Sequence, residues 1–238
     1  MVSSFEAKKL LDSIKGKLIV SCQALENEPL FGSDTMAKMA DAACRGGAAG
    51  IRANTVADIL AIKEKVNLPV IGIIKREYKG SECYITPTMK EVDELFEMAR
   101  PEVIAVDATC RKHPDGEDGV EFIRKIKSKY PNQLLMADVS TLDEGISAWK
   151  AGADLVSTTL SGYTSYSPAI DGPDFELMRE LSSRVDIPVI GEGRIWSPED
   201  AVKAFEQGVH AIVVGGAITR PMEITKRFVK GISGVKQF

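Results

Sequence analysis

Lys75, Asp138 and Glu192 each close a run of apolar residues, and Arg52 sits near the end of another. Charged side chains at the ends of apolar runs suit chemistry better than solubility. A lysine with cationic neighbours releases its proton more readily and can act as a general base, and burial pushes the same way. Arg52 and Arg76 are candidate neighbours of that kind; a close carboxylate would oppose them. A lysine at such a position can also form a Schiff base with a carbonyl substrate. The pattern therefore favours a lysine–carboxylate site and leaves base catalysis and imine chemistry open.

A second pattern lies in 188–218. One apolar run ends in Glu192-Gly193-Arg194 and the next ends in Gly215-Gly216. Consecutive strands that finish in glycines can gather backbone N–H groups at one end of a sheet. Such a nest suits an anion, and in eight-fold α/β barrels the loops after strands 7 and 8 are the usual phosphate site. A phosphorylated small molecule is the expected ligand.

The elements that position these residues follow from periodicity. Runs rich in Val and Ile predict strands over 18–22, 50–53, 70–74, 103–107, 134–138, 154–158, 189–192 and 211–214. Their starts lie about 20–35 residues apart, the length of a βα unit. Near-continuous apolar character marks parallel strands covered on both faces. Helices fit between them, including 34–44 and 120–130. Ser197-Pro198-Glu199-Asp200 reads as a helix start, with Ser as N-cap and Pro in the first position. The reading is an α/β fold, a (β/α)8 TIM barrel forming a single domain over 1–238, with a short N-terminal helix before the first strand. A doubly wound sheet competes, but no G-x-G-x-x-G follows the first strand.

An internal repeat supports the barrel. KVNLPVIG at 65–72 matches RVDIPVIG at 184–191, before strands 3 and 7, as a doubled half-barrel would produce. Period-two alternation places Ile71, Ile73 and Lys75 on one face, and Ile190 and Glu192 on one face. The repeat aligns Ile71 with Ile190 and Ile73 with Glu192, so if Glu192 points into the barrel, Lys75 does too.

Other residues read more plainly. Asp138 and Glu192 could instead cap the helices that follow them, and Arg52 could be a structural ion pair across the rim. Asp107 is read as structural. Cys22, Cys44, Cys83 and Cys110 contain no CxxC pair and read as small core residues. With two histidines, His113 read as solvated and His210 at the non-catalytic end, no metal site is expected. A net charge of −4 and the lack of a basic block argue against nucleic acid. No apolar run approaches the roughly 20 residues that span a bilayer, and no export signal is read, so a cytoplasmic protein is expected.

The chain resembles the N-acetylmannosamine-6-phosphate 2-epimerases of bacterial sialic acid breakdown. The resemblance covers essentially the whole length. It rests on Ser21-Cys22-Gln23-Ala24, Gly50-Ile51-Arg52-Ala53 and Gly72-Ile73-Ile74-Lys75-Arg76. Ala137-Asp138-Val139-Ser140, Thr158-Thr159-Leu160-Ser161-Gly162-Tyr163-Thr164 and Gly191-Glu192-Gly193-Arg194 complete it. It implies a barrel that interconverts N-acetylmannosamine 6-phosphate and N-acetylglucosamine 6-phosphate without a redox cofactor. It implies Lys75 as acid/base at C2, with Glu192 and Asp138 holding the reacting end and assisting ring opening. Gln23 and Arg52 would bind the sugar and its N-acetyl group, with Tyr163 and Thr164 also on the substrate. The phosphate would rest on Gly193, Arg194, Gly215 and Gly216, with Arg220 as counter-charge. A homodimer is the family-level expectation. One base or two remains open, as does a silent sugar-phosphate sensor. The stretch 161–172, with Gly162, Gly172, Tyr163 and Tyr166, is expected to be a loop over the site that excludes water.

Overall fold

The computed structural model describes residues 4–233. The expected extent of 1–238 includes residues 1–3 and 234–238, which lie outside the described residues. Helix α1 (Ser4–Ile14) precedes β1 (Leu18–Cys22), as expected. Then follow α2 (Ser33–Arg45), β2 (Gly50–Asn54), α3 (Val56–Lys65), β3 (Val70–Ile73) and α4 (Met89–Glu94), which runs into a π-helical turn, Leu95–Ala99. The chain continues through β4 (Val103–Asp107), α5 (Gly119–Lys129), β5 (Leu134–Asp138), α6 (Leu142–Ala151), β6 (Leu155–Ser157) and α7 (Phe175–Arg184). It ends with β7 (Val189–Glu192), α8 (Pro198–Glu206), β8 (Ala211–Val214), the short α9 (Gly216–Thr219) and α10 (Pro221–Ser233).

The strands are parallel and pair in sequence order, and β8 closes on β1, so the sheet is a closed eight-stranded barrel. Closure removes the doubly wound alternative, which leaves two free edges. Alternation sorts the strand residues into two cores. Ile19, Ile71, Ile73, Met136, Leu155, Ile190 and Val213 fill the barrel interior. The opposite faces, with Ile51, Val70, Ile104 and Leu135, pack under the helices against Ile59, Leu95, Ile123 and Leu181. Each such aliphatic side chain, fully buried, contributes about 1.5–3 kcal/mol. Ile71, Ile73 and Ile190 therefore do face inward, as the repeat required.

Helix α1 closes the N-terminal end of the barrel. Ile14 joins the interior cluster, Leu10 and Leu11 pack against it, and His210 Nε2 lies 2.8 Å from Leu11 O. The site must then form at the opposite, C-terminal end. The Ser197 start is borne out: its hydroxyl accepts from Asp200 N at 3.1 Å, and Pro198 occupies the first turn. No helix among the described residues is long and apolar enough to cross a membrane.

Candidate active site

The C-terminal ends of the strands surround a cavity of about 390 Å³. Lys75 reaches it from just beyond β3. Asn54 Oδ1, at the end of β2, accepts from the Lys75 N–H at 2.8 Å, and the Lys75 backbone pairs antiparallel with Ile85. Lys75 is half-buried, and its ammonium has no hydrogen bond or ion pair among the described residues. Burial, then the charges of Arg52 and Arg220, lower its pKa to about 8, against the opposing pull of Glu192 and Glu28. Arg76, expected to share in this, instead pairs with Glu91 and Glu94.

Arg52, on β2, is almost fully enclosed. Its Nη2 lies 2.5 Å from Asp138 Oδ2 of β5, and its Nη1 2.5 Å from Glu192 Oε2 of β7. The ion-pair reading of Arg52 therefore holds, inside the barrel mouth rather than on its outer rim. Burial would weaken the guanidinium, but the two carboxylates hold its pKa above the ordinary value. With Nη1 and Nη2 engaged by carboxylates, Arg52 offers the cavity charge more than free donors. Burial, reinforced by the Asp138 charge, raises the Glu192 pKa in spite of Arg52. Neither carboxylate is a helix cap: Thr141 caps α6 and Ser197 caps α8.

The structure brings together Lys75, Glu192, Gln23, Arg52, Tyr163, Gly193, Arg194, Gly215, Gly216 and Arg220, all of which line the cavity. It does not bring Asp138 or Thr164 there. Asp138 is fully buried beneath Arg52 and Thr159. Thr164 turns away to Ser140 Oγ at 3.1 Å and Ser167 Oγ at 2.8 Å. Loop residues obey no strand alternation, so sequence pattern could not aim Thr164.

The glycine turns form one end of the cavity. Gly193 has φ of 111°, a conformation that side-chain-bearing residues rarely adopt. A Cβ on Gly216 would come within 3.1 Å of the Trp196 ring, which also lines this end. Arg220 is steered by Glu28, with Nη2 2.9 Å from its Oε1. Arg194 holds the loop at 161–172: Nη1 donates to Ser161 O at 2.6 Å and Nε to Gly172 O at 2.7 Å. Tyr166 anchors the same loop through Glu144 Oε1 at 2.6 Å, while Tyr163 lines the cavity.

Sequence reasoning gave no role to Thr159, Trp196, Glu28, Tyr84 or Ile85. Tyr84 and Ile85 line the cavity from a segment folded back along Lys75, a pairing that no periodicity announces. His113 is corrected: it is buried, with Nδ1 2.8 Å from Pro87 O and Nε2 3.1 Å from Asp107 O. Cys22 and Cys83 are buried, and burial pushes both thiols up to about 12, but Cys110 is exposed and Cys44 only half-buried. Cys83, Asp107 and His113 lie close enough to hold a cation. Both His113 nitrogens face carbonyls, and Asp107 is occupied by Thr109 and Arg111, so the donor set fits hydrogen bonding better than a metal.

A family described as "Putative N-acetylmannosamine-6-phosphate epimerase" matches residues 36–234. A relative of that name from Clostridium perfringens is 59% identical over 219 residues, covering 92% of this chain and 98% of its own. Another, from Caldanaerobacter subterraneus, is 57% identical over 220 residues, 92% of each chain. The solved N-acetylmannosamine-6-phosphate 2-epimerase of C. perfringens superposes with a TM-score of 0.88 at 58% identity, covering 92% of this chain and 95% of that one. A thiamine phosphate pyrophosphorylase from Pyrococcus furiosus, 20% identical with a TM-score of 0.60, shares the fold alone. The chain belongs to the N-acetylmannosamine-6-phosphate epimerase family.

Proposed function

We propose that this chain inverts C2 of N-acetylmannosamine 6-phosphate to give N-acetylglucosamine 6-phosphate, by ring opening and proton removal and return at C2. The observation that carries this is Lys75, whose ammonium lies in the cavity without a partner among the described residues and whose pKa is lowered to about 8. Such a group exchanges its proton near neutrality, as a general base must. The substrate comes from the family and its named relatives.

The chemistry uses the residues in order. Opening the ring breaks the C1–O5 bond, moves the O1 proton away and protonates O5, leaving an aldehyde at C1. Lys75 then takes the C2 proton, and the electron pair moves onto O1. A protonated Glu192 and the Arg52 charge favour that enolate. The proton returns on the opposite face, either from Lys75 after the intermediate turns or from Glu192. Carbon oxidation levels are unchanged, so no redox cofactor is required. Asp138 acts through Arg52 and Thr159 rather than on the sugar. The phosphate, remote from C2, rests on Gly193-Arg194 and Gly215-Gly216 with Arg220 beside it, and its binding orients the reacting end.

The sugar's place in sialic acid breakdown and a cytoplasmic location belong to the same reading. So does a homodimer. It is supported by α10, an amphipathic helix with Met222, Phe228, Val229 and Ile232 exposed. Proton NMR of N-acetylmannosamine 6-phosphate with the enzyme tests the activity: the second epimer accumulates, and Lys75→Ala abolishes it while Tm holds. Borohydride added with substrate leaves the wild type active. Inactivation by a trapped imine would instead establish Schiff-base chemistry.

A further inference from the structure

The hydroxyl of Thr159 has an unusual set of neighbours. Its Oγ1 lies 2.8 Å from Asp138 Oδ1, 3.0 Å from Glu192 Oε2, 2.8 Å from Ser157 Oγ and 3.2 Å from Arg52 Nη1. A hydroxyl carries one proton and can donate it to one acceptor at a time. Two carboxylates therefore compete for a single hydrogen, while Ser157 can donate to the same oxygen. Glu192 Oε2 is also held by Arg52 Nη1, but among the described residues no group bonds Glu192 Oε1. Thr159 and Arg52 together thus fix one oxygen of Glu192 and leave the other for the cavity that Glu192 lines.

We propose that Thr159 is a positioning residue for Glu192: it holds Oε2, presents Oε1 to substrate, and moves its hydroxyl proton between Asp138 and Glu192 as the charge of Glu192 changes. This rests on the reading of Glu192 as the acid of the epimerisation. With Glu192 protonated, the Thr159 hydrogen points to Asp138. When Glu192 gives up its proton, the hydrogen rotates to Oε2 and stabilises the new anion. No bond to carbon is made or broken at Thr159. The groups that face Glu192 are Arg52 from β2, Lys75 beyond β3, Asp138 from β5 and Thr159 beyond β6. A bond donated to the ionised form is the stronger one, so its loss favours the protonated form.

The test compares wild type, Thr159→Val and Thr159→Ser. Thr159→Val is near-isosteric and lacks the hydroxyl; Thr159→Ser restores it. Carbon-13 NMR of glutamate side chains in the ligand-free protein, with the Glu192 signal assigned through Glu192→Gln, reads the Glu192 titration directly. Its midpoint rises in Thr159→Val and returns toward wild type in Thr159→Ser. Steady-state kinetics show kcat falling about ten-fold in Thr159→Val, with KM changed less than about three-fold and Thr159→Ser recovering most of kcat. An unmoved midpoint with wild-type kcat in Thr159→Val overturns the proposal, as does failure of Thr159→Ser to rescue. If the wild type does not epimerise, the functional reading fails, while the ligand-free titration still decides the role of Thr159.

Discussion

At the scale of single residues, the proposed function turns on a lysine whose surroundings oppose its charge. If Lys75 is the base, kcat/KM rises with pH through about 8, because only the neutral amine accepts a proton. A pH–rate profile of the wild type checks this: a kcat/KM that stays flat across about pH 7–9 would remove Lys75 as the base. The same lowered pKa carries a stability cost. Lys75 is charged both folded and unfolded below about pH 8, and the folded state bears the strain; between about 8 and 10.5 it discharges only when folded, and the strain is relieved. Lys75→Met should therefore be more stable than wild type at pH 7, by about 1–2 kcal/mol against a ceiling of roughly 3 set by the shift. The gain shrinks as pH rises from 8 toward 10, which urea unfolding at several pH values measures. That Lys75 and Glu192 share the cavity was legible because strand alternation and the repeat share one phase. The burial of Asp138 under Arg52 was not, because it depends on how distant strands meet across a closed barrel. Thr164 and His113 lie in loops, where residue type alone says little about direction.

At the scale of elements, strands deliver the charged groups and loops finish the cavity. The loop at 161–172 is tied down by Arg194, by Tyr166 on Glu144, and by Ser161 Oγ on Asp174 Oδ2 at 2.6 Å. Tyr166→Phe removes one tie and should cost about 1 kcal/mol of stability while amide exchange in the loop speeds up. Tyr163→Ala instead opens the cavity wall and lowers turnover with stability little changed, so steady-state kinetics and hydrogen exchange separate anchor from cover. Helix starts were readable where caps are strong. Ser197→Ala should cost about 1 kcal/mol in chemical denaturation without touching kcat. The folding of Tyr84 and Ile85 back along Lys75 carried no comparable signal, because one isolated pair of residues creates no period.

At the scale of the whole molecule, eight apolar runs at βα spacing predict the barrel, and closure of β8 on β1 bears it out. Closure also concentrates Arg52, Lys75, Arg194 and Arg220 around one cavity that suits a phosphorylated sugar. The exposed apolar face of α10 bears on assembly. If α10 is the contact of the proposed homodimer, Phe228→Glu with Ile232→Glu shifts sedimentation from dimer to monomer; a wild type that sediments as a monomer would contradict the dimer, and variants that sediment like a dimeric wild type would contradict the α10 contact. Proton transfer at C2 is read by exchange with solvent. With N-acetylmannosamine 6-phosphate in deuterium oxide, proton NMR should show deuterium entering C2 of both epimers with wild-type protein and none with Lys75→Ala. Folded wild-type protein that leaves C2 protonated in both sugars would contradict it.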